Sequence, residues 1–101
     1  MLTGRYLEQV FVRPRGAGLE LLLVLENAAG ARFRETLQIP TRDASEAVRR
    51  AARHLAARGD VEDVGRLRLR VERGGALEDD GALERAFIAV FERHRDAGAE
   101  P

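Results

Sequence analysis

Arg66, Arg68 and Arg70 alternate with Leu67, Leu69 and Val71, which is the period of a half-buried strand. On such a strand the three guanidinium groups project from one face at intervals of about 6.6 Å. Arg34 stands in the same relation to Phe33, Leu37 and Ile39 in an earlier segment. A sheet face carrying Arg34, Arg66, Arg68 and Arg70 can hold phosphates or stack on bases, so nucleic acid is a possible partner. The plainer reading is a solvated face balanced by Glu20 and Glu72. Aromatic residues favour the plainer one. There are four Phe and one Tyr; Phe11, Phe33, Phe87 and Phe91 read as core, and only Tyr6 reads as an exposed ring.

Other chemistries find less. A metal-dependent nuclease needs converging carboxylates, and the available trio is Glu8, Glu46 and Glu72. Glu46 is already explained by helix capping, and no Asp lies within the first strand. His54 and His94 fall in different helices, without the i, i+4 pair of a zinc helix. The chain has no Cys, which excludes disulfides, thiolate metal sites and a Cys nucleophile. Its single Ser, Ser45, sits inside a capping motif. Pro14 to Gly18 joins two strands and opens no helix, so it is no phosphate loop. The expectation is a protein without enzymatic activity, metal, cofactor or evident small-molecule substrate.

The elements that carry these residues follow from periodicity and turn chemistry. Tyr6 to Arg13 reads as a first strand, and Pro14-Arg15-Gly16-Ala17-Gly18 as a turn. Leu19 to Glu26 is a second strand; its unbroken run Leu21 to Leu25 implies apolar side chains on both faces. Asn27 to Gly30 suits a hairpin, and Arg32 to Ile39 is a third strand ended by Pro40. Asp43-Ala44-Ser45-Glu46 is a capping box opening a helix that stops at Gly59. Its stripe is Ala44, Ala47, Val48, Ala51, Ala52 and Leu55. Asp60 to Gly65 reads as a polar loop, Arg66 to Glu72 as the fourth strand, and Gly74-Gly75 as its break. Asp79 or Asp80 caps a last helix over Gly81 to Arg95, with Leu83, Ala86, Phe87, Val90 and Phe91 as its stripe.

The predicted class is α+β, in the order β-β-β-α-β-α: one domain over 1–95 and a frayed tail over 96–101. The first three strands form an antiparallel meander, and the crossover helix lets the fourth return parallel to the first or the third; one such arrangement has the sheet order 3-2-1-4. A sheet order of 3-2-1-4 resembles the first half of a ribonuclease-H-like sheet, and HicB-type antitoxins resemble a cut-down version of it. The likeness covers element order alone and implies, as an alternative, an antitoxin-like or nucleic-acid-binding regulator.

Composition bounds the rest. The chain has 101 residues, with 17 basic and 17 acidic side chains, and every basic one is Arg. Zero net charge excludes a strongly basic protein that coats nucleic acid nonspecifically. No apolar run approaches the ~18 residues of a membrane span, and Met1 to Tyr6 lacks the order of a signal peptide. A cytoplasmic protein with no membrane association is expected. Leu22 and Val24 point opposite to Leu21, Leu23 and Leu25, and Ile88 falls off the stripe of the last helix. This leftover apolar surface predicts association through a sheet face and the last helix, as a homodimer or with another protein, by Leu22, Val24 and Ile88.

Overall fold

Strand alternation and two amphipathic helices sort the apolar side chains into a core on one side of a sheet. The computed structural model describes residues 4–99. Strands β1 (Arg5–Arg15), β2 (Gly18–Asn27) and β3 (Arg32–Ile39) form the expected antiparallel meander. Helix α1 (Ala44–Arg58) leads through β4 (Val61–Asp63) to β5 (Arg68–Arg73), β6 (Ala76–Asp79) and α2 (Gly81–Ala99). The sheet order is β3-β2-β1-β5-β6, with β5 parallel to β1 and β4 also pairing β1. Of the two places the crossover allows, beside the first strand or the third, the strand after α1 takes the first, which gives the 3-2-1-4 arrangement with an added edge.

The core face is built from Leu7, Val10 and Val12 of β1, alternate leucines Leu19 to Leu25 of β2, and Leu69 and Val71 of β5. Both helices cover this face: Ala47, Val48, Ala51, Ala52 and Leu55 of α1 and Phe87 and Phe91 of α2 are fully buried in the same cluster. The small alanines let the axis of α1 approach the sheet and α2 closely. A register shift between Leu7 and Gln9 absorbs Glu8 as a bulge, which turns both Leu7 and Val10 inward although they are three residues apart.

Several boundaries differ from the sequence reading. The loop expected over 60–65 contains β4, because Val61 reaches the core and pairs with Arg5. The fourth strand begins at Arg68, so Arg66 lies in the preceding turn. Gly74 and Gly75 do not merely stop that strand. Both hold positive φ, 59° and 84°, and form the two-residue turn of a hairpin to β6. Helix α2 continues to Ala99 rather than ending at Arg95; Glu100 and Pro101 lie outside the described residues.

The caps are specific. Asp43 accepts from the N–H groups of Ser45 (3.0 Å) and Glu46 (3.5 Å). The reciprocal half of the box is not formed: the Asp43 N–H donates to Thr41 Oγ1 (3.2 Å), and Glu46 pairs with Arg50 (2.8 Å) instead. Gly59, at φ 78°, closes α1 in the left-handed conformation. At α2 it is Asp80, not Asp79, that caps, accepting from the Leu83 N–H at 3.0 Å. Arg73 holds Asp80 at 2.7 Å, and this hydrogen bond first keeps its carboxyl below the ordinary range.

Candidate functional site

Because both helices lie on one side, alternate residues of the five strands β3, β2, β1, β5 and β6 are left on an uncovered face. One row across it runs Thr36, Leu22, Phe11, Arg70, Asp79. The next runs Arg34, Val24, Gln9, Arg68, and a third contains Gln38, Glu20 and Arg13. Phe11, Leu22 and Val24 thus form a half-buried apolar strip at the centre of β1 and β2. Leu77 stands on the same face at the β6 edge, opposite Glu72, and is 48% exposed.

Polar groups fix the margin of this strip. Glu20 is 5% exposed and accepts from Arg13 (3.2 Å), Arg15 (2.9 Å) and Gln38 (3.2 Å). These donors, Arg13 foremost and then Gln38, hold its carboxyl below the usual range, so it is a charged anchor at neutral pH. At the opposite end a groove of about 730 Å³ is lined by Tyr6, Glu8, Gln9, Glu26, Arg66 and Arg68 among others. Hydrogen bonding to Glu26 raises the Glu8 carboxyl above its ordinary range, against the pull of Arg32 at 3.5 Å.

The arginine row is only partly free. Arg70 and Arg68 share the carboxylate of Asp79, at 3.2 and 3.7 Å. Arg66 and Arg34 make no ion pair among the described residues. Arg34 lies at the β3 edge and Arg66 by the groove, with the two central strands between them. The four are on one side of the molecule without forming one cluster. Tyr6, at 37% exposed, is the solvent-facing ring expected of it.

The association residues divide. Leu22 and Val24 occupy the open face. Ile88 packs against the core cluster on the helical side, so one chain offers no single patch containing all three. The cause is that α2 joins α1 on the same face instead of leaving a face of its own unpartnered. Two aromatic assignments also change. Phe11 alternates with Val10 and Val12 and therefore lies on the open face. Phe33, at the edge of the core face, is 36% exposed and carries the Arg5 guanidinium 4.9 Å from its ring centre.

The acidic trio is not assembled: Glu46 pairs with Arg50 on α1, while Glu8 and Glu72 belong to β1 and β5. No group of three or more His, Asp or Glu is placed to hold one metal ion among the described residues. His54 and His94 are both exposed. No helix among the described residues is long and apolar enough to cross a membrane.

One ionic cluster has no local sequence signal. Arg58, at the end of α1, meets Glu35 of β3 at 2.5 Å and Asp60 at 2.7 Å, and Arg5 of β1 reaches both at 3.3 and 3.4 Å. Hydrogen bonding to Arg58 is the first cause that holds the Glu35 and Asp60 carboxyls below their ordinary range. The cluster ties the helix end to the sheet margin on the covered side. No family model, curated protein or solved structure matches the chain.

Proposed function

We propose that the chain acts by binding, as a non-enzymatic interaction protein, and that its open sheet face receives another protein. The observation that carries this reading is the placement of both helices on one side, which leaves Phe11, Leu22 and Val24 contiguous across the central strands. Three half-buried apolar residues are too few for a large obligate interface; they suit a small, reversible one. Arg34, Arg68 and Arg70 beside the strip favour a partner whose apolar side chains are flanked by carboxylates. The test is a photo-crosslinking amino acid placed at Leu22, or at Arg53 on the exposed side of α1, in the native host. A discrete adduct is expected from position 22 only, lost when Val24→Glu is added. Equal adducts from both positions, or none from either, would overturn the reading.

A second reading rests on Tyr6 sharing a groove with Arg66 and Arg68, an arrangement that could stack a base and hold a phosphate. Fluorescence anisotropy with labelled single- and double-stranded oligonucleotides separates it from the first. Binding with a steep salt slope, weakened by Arg68→Glu, supports this regulator-like role. Flat titrations at low and near-physiological salt remove it.

A further inference from the structure

The two edges of the sheet are finished differently. Strand β6 is short, and the first turn of α2 closes what it leaves uncovered: the Leu69 N–H donates to Glu84 Oε1 (3.1 Å), and the Leu69 carbonyl accepts from the Asp80 N–H (3.1 Å). Strand β3 pairs with β2 from Arg32 to Ile39 without a bulge. Among the described residues, no loop or helix backbone closes the outer side of 32–38. A long, regular, uncovered edge is a template for another strand.

We propose that β3 pairs antiparallel with β3 of a second copy of this chain, about a two-fold axis through Thr36. The proposal does not depend on what docks on the open face. A two-fold perpendicular to the sheet requires opposed residues to share a face, so the axis passes through a residue and not between two. An axis at Arg34 would oppose two guanidinium groups, and an axis at Glu35 two carboxylates; like charges directly opposite are destabilising. An axis at Thr36 opposes Thr36 to itself, Arg34 to Gln38, Glu35 to Leu37 and Phe33 to Ile39. An axis at Leu37 also avoids like charges, but it pairs only residues 35–39 and leaves Phe33 uncovered.

The register at Thr36 accounts for two features of the single chain. Phe33 is exposed and Ile39 half-buried on the core side of this edge, and each would cover the other across the axis. Glu35 is a charge on the core side of an edge strand, a common guard against pairing. Here Arg58 and Arg5 of its own chain already balance it, and no like charge opposes it in this register. The product is one continuous sheet with all four helices on one side and the two open faces joined on the other.

The absence of native Cys makes the test direct. Cβ atoms of directly opposed residues lie about 4.5–5.5 Å apart, close enough for a disulfide after small adjustment. The two copies of residue 34 would be on the order of 13 Å apart along the strands. Light scattering of the wild type is expected to give about 22 kDa, twice the 11.2 kDa of the chain. Thr36→Cys is expected to form a linked dimer under mild oxidation and Arg34→Cys is not. Thr36→Lys is expected to give the monomer mass with unchanged circular dichroism. A monomeric wild type, linkage through Arg34→Cys as readily as through Thr36→Cys, or a dimer untouched by Thr36→Lys would each overturn the proposal. A dimer dissolved by Leu22→Glu instead would also overturn it, by moving the contact to the open face.

Discussion

Leu22 and Leu23 are neighbours on β2 with opposite surroundings. Leu23 is fully buried in the cluster that both helices complete, and Leu22 lies beside Phe11 with no element above it. The same contrast holds for whole faces. On the covered side, apolar area is consumed by folding, and charges stand at the rim, in the Arg5–Glu35–Arg58–Asp60 cluster at one end and in the pairs of Arg73 with Glu78 and Asp80 at the other. On the open side, the strip of Phe11, Leu22 and Val24 is flanked by ion pairs, with Glu20 the buried anchor of one margin. Alternation along one strand therefore separates residues that hold the fold from residues available to a partner.

The sharpest way to break this contrast is truncation on both sides of one strand. Leu23→Ala is expected to cost about 2–5 kcal/mol in denaturant unfolding, because it opens a cavity in a packed cluster. Leu22→Ala is expected to cost about 1 kcal/mol or less, since its side chain is partly exposed and no element packs over it. Equal losses would mean that the open face is as much a part of the core as the covered one.

The ionic rim gives a smaller effect with a pH signature. Arg58→Ala is expected to lower stability at neutral pH by about 1 kcal/mol, at the upper end for a partly exposed network. Glu35 and Asp60 have folded-state values depressed below 4.5 and 3.8, so their contribution is present above those values and lost as the pH falls through the folded ones. The gap between wild type and Arg58→Ala should accordingly narrow as the pH drops below the ordinary carboxylate range. A gap independent of pH would assign the effect to lost packing of the side-chain stem. The smallest expected change is Arg68→Ala, within about 0.5 kcal/mol in unfolding, because the side chain is exposed and its link to Asp79 is long.

Much of the fold was legible where local signals agree with global packing. The alternation of Arg68, Leu69, Arg70 and Val71, the alanine stripe of α1 and the Asp43 and Gly59 caps each fix an element without reference to the rest of the chain. The Gly74-Gly75 hairpin had a signal, since two adjacent glycines between strand-like segments suit a two-residue turn; the missing cue was hydrophobicity in β6, whose residues are all exposed. Strand β4 is too short to show a period. Phe11 illustrates a different limit: its type says core, while its parity beside Val10 and Val12 places it on the open face, and parity decides. The pairing of Arg58 with Glu35, and of Asp79 with Arg70, depends on tertiary placement that no spacing reveals. Likewise the position of Ile88 depended on which face α2 would choose.

The most direct test compares Leu22→Glu with Leu23→Glu in one experiment, reading cooperative unfolding and crosslinking to a partner together. Leu22→Glu should unfold near the wild-type midpoint and lose the adduct formed from a photo-crosslinker at the adjacent Val24. Leu23→Glu should fail to fold, because a carboxylate would be buried among leucines without a partner. If Leu22→Glu unfolds as Leu23→Glu does, or folds and retains the adduct, the open face is not the binding surface.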